Sequence, residues 1–164
     1  MPTWGKKFAE RLKIERLTAK PAWKDWGVLV AWMGIIFFMS TDTFSSANTS
    51  RFLNPILKAF FPGLTLQQFH RIHYTVRKLG HFAEYAVLAF LWFRTLQMGE
   101  KSRFWRAALL ALTLSVIYAF TDELHQAFIP SRTASLVDVG IDSAGAAFSI
   151  LGLIIFRMRR PASG

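Results

Sequence analysis

The chain has 164 residues, 52% hydrophobic and 15% aromatic, with a net charge of +10, a length that suits one compact domain. Its apolar residues fall in long blocks with the basic ones between them, which points to lipid and away from a nucleic-acid partner. The absence of cysteine excludes disulfides, thiolate metal sites and cysteine nucleophiles.

Residues 1–25 form a basic arm carrying Lys6, Lys7, Arg11, Lys13, Arg16, Lys20 and Lys24. Its polar stretch is too long for a cleaved signal peptide, and no A-x-A site follows the first apolar block. Trp4, Phe8 and Leu12 recur every four residues among the cations. That spacing predicts a helix lying on an anionic inner leaflet and ending before Pro21, with a disordered arm as the alternative.

A spanning helix needs about 20 largely apolar residues, and four segments qualify. The first runs from Trp26 to Ser40 or Phe44, and the second from Gly80 to Met98. The third starts at Trp105 and reaches Phe120 or Phe128, and the fourth is Leu136 to Phe156. The blocks lack the alternation of barrel strands. The prediction is an all-α, polytopic membrane protein: a bundle of four transmembrane helices over residues 26–156, followed by a basic tail at 157–164.

Between the first two spans, Thr41 to Arg77 is too apolar to lie free in water. Ile56, Leu57 and Phe60 share a helical face with Phe52 and Leu53, and Pro62-Gly63 then forces a turn. Thr65 and Gln68 match a capping box, opening a second helix with Leu66, Phe69, Ile72, His73 and Val76. Two short amphipathic helices on the outer membrane surface are therefore expected. His70 and His73 are read there as exposed interfacial side chains.

Orientation follows the basic residues. The arm, the link with Arg94, Lys101, Arg103 and Arg106, and the tail with Arg157, Arg159 and Arg160 together hold fourteen of the twenty. Both termini and the middle link are thus expected in the cytoplasm, which places the chain in the cytoplasmic (inner) membrane.

Acidic residues sit where lipid should exclude them. Six of the ten (Asp42, Glu84, Asp122, Glu123, Asp138 and Asp142) lie in or beside predicted spans. Each costs about 2.5–3.5 kcal/mol at a bilayer centre, and less near its surface. The topology brings them to one depth, where Lys78, His81, His125 and Arg132 also arrive. Lys78, His81 and Glu84 step by three along one helical face, with Tyr85 adjacent. Asp122 shares a face with His125 and Gln126, with Tyr118 a turn earlier. On the last span Asp138, Asp142, Gly145, Ser149 and Gly152 form a stripe, small below and acidic above. Such a stripe lets a neighbouring helix pack closely.

At these residues the chain resembles a known family. Lys78-Leu79-Gly80-His81-Phe82-Ala83-Glu84-Tyr85-Ala86 is similar to the first motif of the VanZ-like membrane proteins. Thr121-Asp122-Glu123-Leu124-His125-Gln126-Ala127-Phe128 resembles the second. Arg132-Thr133-Ala134-Ser135-Leu136-Val137-Asp138, followed by Gly145, resembles the third. Ser40 matches a serine common at the end of the first span. One residue departs from the pattern: the family usually has asparagine where this chain has Asp142. The resemblance covers residues 26–156. It implies a multi-pass membrane protein related to glycopeptide (teicoplanin) resistance proteins. Some relatives carry the enzyme label phosphotransbutyrylase, but nothing here resembles a soluble acyl-phosphate site.

Buried ion pairs are weak sources of stability, so the cluster is read as a functional site before a structural network. The first expectation is a site at the extracytoplasmic face that acts on or binds a lipid-linked or cell-envelope substrate. Glu84, Asp122, His125 and Asp138 are its candidate acid–base residues. Lys78, His81, Glu123, Gln126, Arg132, Asp142 and Ser40 are its candidate binding residues, Arg132 gripping phosphate bidentately. The fuller motif set of phosphatidic-acid phosphatases is missing. His81, Glu84, Asp122 and His125 lack H-E-x-x-H spacing, so no metal or cofactor is assigned. The alternatives are a non-catalytic envelope-binding module or structural membrane protein, and then a small transporter. Four short helices with no internal repeat leave little room for alternating access.

Overall fold

The computed structural model describes residues 22–42, 46–97, 104–130, 132 and 134–159. The expected N-terminal helix, the middle link and most of the tail lie outside them. Regular structure in the described residues is entirely helical, in five helices: α1 (Ala22–Met39), α2 (Ser46–Phe60), α3 (Leu66–Leu96), α4 (Phe104–Ala127) and α5 (Leu136–Arg159). Of these, α4 and α5 are long and apolar enough to cross a membrane.

The Thr65 side chain accepts from the Gln68 backbone N–H, and the Gln68 side chain accepts from Thr65, so the capping box is real. The helix it opens is not short. α3 runs without a break through Arg77, Lys78, Leu79 and Gly80 into the second expected span. At 31 residues it is about 46 Å long, more than a hydrocarbon core of about 30 Å requires. The expectation of two separate surface helices is thus corrected to one, α2, beside the extended end of α3. The reason is local: lysine, arginine and leucine favour helix, and one glycine costs only about 1 kcal/mol. Nothing between Val76 and His81 stops a helix already nucleated at Thr65.

α3 is the hub, touching all four other helices, most extensively α5. At Gly145 the two backbones nearly meet. A Cβ there would press on the Phe82 carbonyl, 2.9 Å from its carbon. The small-residue stripe on α5 therefore serves α3 at Gly145. It does not extend to Gly152, which has open space around it.

The bundle has two unlike ends. Where α3 finishes, Ala89, Phe93, Phe104, Ala107, Ala108, Ala111, Ala146 and Ile150 make a dry core. Alanines on α4 bring the helices close, and the Phe93 and Phe104 rings meet edge-on at 5.1 Å. Arg94 pairs there with Asp25, a buried acid outside the six expected in or beside the spans. Towards the other end Leu29, Ile36, Tyr85, Leu88 and Val139 continue the core. The core then gives way to acids and amides. The outside is the reverse: Phe128 and Leu136 are each 80% exposed, with Trp105, Leu109, Phe148 and Phe156 also bare. Apolar outside and charged inside is the pattern lipid selects.

Candidate functional site

The polar end is assembled from four helices. Ser40 closes α1 and donates from Oγ to Asp122 Oδ1 at 2.6 Å. Gln126, one turn beyond Asp122 and fully buried, donates from Nε2 to Asp122 Oδ2 at 3.1 Å and to Ser40 Oγ at 3.3 Å. Its Oε1 accepts from the Arg77 guanidinium at 3.5 Å. The second motif and Ser40 thus meet in one network, which Arg77, the residue before the first motif, extends to α3.

Arg132 does something the sequence did not show. Its Nη2 donates to the carbonyls of Met39 at 2.6 Å and Thr41 at 2.7 Å, and its Nε donates to Thr41 at 3.2 Å. The last carbonyls of a helix have no partner within it, and a guanidinium there also meets the negative end of the helix dipole. Its fork grips the end of α1, a task for which the expected phosphate is not needed. Glu123 works in a similar way on α5. Its Oε1 accepts from the Ser135 N–H, while Ser135 Oγ accepts from Val137 N–H at 3.2 Å and caps the helix. Lys78 pairs with Asp138, which is only 3% exposed. Burial, reinforced by Arg77, lowers the pKa of the Lys78 ammonium, and Glu123 and Asp142 oppose the shift. Burial likewise lowers the Arg132 pKa, again with Arg77 reinforcing. Both cations need the acceptors they have.

The remaining groups are less completely satisfied. His81 Nδ1 lies 3.2 Å from Asp142 Oδ1, an ion-pair distance without hydrogen-bond alignment. Asp142, where the family pattern has asparagine, is fully buried, and neither oxygen has a hydrogen-bond partner among the described residues. The Tyr85 hydroxyl, equally buried, has none either. Glu84 is half-buried, and no hydrogen bond to its carboxylate is found among the described residues; Trp32 Nε1 donates at 3.0 Å to its backbone carbonyl instead.

A cavity of about 830 Å³ opens onto this end. Ser40, Lys78, His81, Glu84, Gln126, Arg132 and Asp138 line it, all predicted site residues. Asp122, Glu123 and Asp142 are buried but do not line it. His125 does not line it either: its ring stacks on Phe37 of α1, centroids 4.5 Å apart. Asp42 is exposed at the end of α1, unlike the other five acids.

Sequence reasoning missed the outer wall. His70, His73, Tyr74 and Arg77 of α3, with Thr49, Ser50 and Leu53 of α2, also line the cavity. His73 Nε2 bonds Asn54 Oδ1 at 2.9 Å, joining α2 to α3. His70 is exposed, as expected, and His73 is half-buried; that both line the cavity is what the structure adds. The signal was present: positions 70, 73, 74, 77, 81 and 84 follow helical spacing. They fall on one face once α3 is a single helix. Cutting the helix before Gly80 hid that continuity.

No curated protein and no solved structure matches the chain. A family model does, that of VanZ/LLP1, over residues 26–157, a stretch that holds α2, α3 and α4 whole and all but the outermost residues of α1 and α5. Two apolar helices and a surface of bare aromatic and aliphatic side chains agree with a membrane protein. On this match, covering most of its length, the chain belongs to the VanZ/LLP1 family.

Proposed function

We propose that this protein crosses the membrane four times, through α1, the latter part of α3, α4 and α5, with the cavity facing away from the cytoplasm. The cavity binds the polar end of a lipid-linked or cell-envelope amphiphile, and His81 and Glu84 handle protons there. Fourteen of the twenty basic residues lie on the segments this topology leaves inside. A site at the outer face also suits a family related to glycopeptide resistance proteins.

The observation that carries the reading is the company kept in one cavity. His81, backed by buried Asp142, and Glu84, free of hydrogen bonds from described residues, share it with apolar Leu53, Val76 and Val137. An imidazole with one nitrogen beside a carboxylate is held in a fixed orientation, which leaves Nε2 for a ligand proton. Apolar lining with a few convergent polar groups is how amphiphile sites are built.

A structural role is the second reading, and it has its own support. Lys78, Arg132, Asp122 and one carboxylate oxygen of Glu123 make bonds that hold helices together. The two readings divide by residue. Protein purified in a neutral detergent should carry a lipid identifiable by mass spectrometry. Glu84→Gln and His81→Gln should lose that lipid while eluting as folded protein. If both variants instead aggregate, or wild-type protein emerges free of any amphiphile, the binding reading is wrong.

A further inference from the structure

Resting on that reading, we infer that the end of the amphiphile held in the cavity is a cation, an ammonium, and that Glu84 receives it.

The cations of the wall are already engaged. The lysine and arginines that line the cavity are Arg77, Lys78 and Arg132. Arg132 makes three bonds to the carbonyls ending α1, Lys78 holds Asp138, and Arg77 reaches Gln126. To grip a phosphate, Lys78 would have to leave an acid that is 3% exposed, and unpairing a buried carboxylate costs about 3–5 kcal/mol. Arg132 would have to release the Met39 and Thr41 carbonyls at the end of α1, for which no other partner is found among the described residues.

The acids are in surplus. Glu84 and Asp138 line the cavity, and Asp122, Glu123 and Asp142 stand buried behind it, so five carboxylates face three cations. The histidines His70, His73 and His81 alter that balance only when protonated. Among the five acids, Asp138, Glu123 and Asp122 have donors. Asp142 has two oxygens without a hydrogen bond in a fully buried site, and its Oδ1 lies against the lining imidazole of His81. Glu84 stands open to the cavity.

Lys78 has a second engagement as well. Tyr74, also in the wall, already has the Lys78 ammonium 4.9 Å from its ring centroid. The face of an aromatic ring attracts cations and not phosphate. A primary amine brings three donors, which match Glu84 directly and Asp142 by charge. The apolar residues Met39, Leu53, Val76 and Val137 take the chain of the same molecule.

The test uses purified full-length protein in an uncharged maltoside detergent. Binding of decylamine, decyl phosphate and decanol is measured by native mass spectrometry below their micellar concentrations. Because the protein carries a net charge of +10, non-specific attraction favours the phosphate, so a preference for the amine must come from the site. Decylamine should bind at least about tenfold tighter than decyl phosphate, a difference of about 1.4 kcal/mol. Glu84→Gln should erase that preference, and Gly152→Ala, at a position that does not line the cavity, should keep it. Decyl phosphate binding as tightly as decylamine, or tighter, would overturn the ammonium inference and leave the amphiphile site standing. If none of the three binds, the inference fails together with the site.

Discussion

The two ends of the bundle bury different things for different reasons. Around Phe93 and Phe104 the interior is alanine and aromatic, and one ion pair among the described residues, Asp25 with Arg94, sits at its edge. Around Asp122 the interior holds four acids, a glutamine, a histidine and an arginine, each less than a tenth exposed. Both ends belong to the same helices, so length and packing angle do not separate them. The dry end shows what holding α3, α4 and α5 together requires, namely small side chains and interlocking rings. The polar end does that and more. Some of its charges brace helix ends, as Arg132 braces α1 and Glu123 braces α5. Asp142, Tyr85 and Glu84 brace nothing by hydrogen bonds among the described residues. A fold needing only adhesion would have filled their places with apolar side chains of similar volume.

Substitutions can sharpen this contrast. The largest effect is expected where the two ends meet, at Gly145. Alanine there would drive its Cβ into the Phe82 carbonyl, and a clash with backbone cannot be relieved by a rotamer change. The cost should exceed the usual overpacking cost of about 1–3 kcal/mol and pass about 5 kcal/mol, read as loss of folded protein in detergent. Gly152→Ala, seven residues along the same helix with nothing within 4 Å, should change nothing. Equal damage from both would mean that α3 and α5 do not approach as described.

Next comes Lys78→Met, which leaves Asp138 buried and unpaired at a cost of about 3–5 kcal/mol. Adding Asp138→Leu should restore most of that loss. Thermal unfolding of the two variants measures the recovery, and a double variant no better than the single one would show that the pair is not what Lys78 provides. At the dry end Phe93→Ala should cost about 3 kcal/mol through the cavity it leaves beside Phe104. It should leave ligand retention per folded molecule unchanged. A loss of ligand there would mean that the two ends are not independent.

Much of this architecture is legible in the sequence, for identifiable reasons. The helices announce themselves as apolar blocks, the cap at Thr65 as a four-residue pattern, and the meeting of acids through their places at the ends of those blocks. Gly145 was legible as part of a small-residue stripe, although only the structure separates it from Gly152. Three things were not. The continuity of α3 was hidden because polar Arg77 and Lys78 look like a membrane boundary, while helix propensity ignores that boundary. The grip of Arg132 on α1 was hidden because backbone carbonyls leave no trace in residue identity. The separation of His125 from the cavity depends on rotation of α4 by a fraction of a turn. Helical spacing from Asp122 does not fix that rotation, and Phe37 does.

The absence of cysteine in this chain makes a direct test of the central arrangement available, because any introduced thiol is unique. Glu84→Cys and Arg94→Cys place one thiol in the cavity wall and one at the dry end of the same helix. Intact cells or right-side-out vesicles are treated with a membrane-impermeant maleimide. The Glu84→Cys thiol should be labelled from outside, while the Arg94→Cys thiol should react only after the membrane is opened. Labelling of the Arg94→Cys thiol from outside, or a Glu84→Cys thiol that is reached only from the cytoplasmic side, would contradict the account.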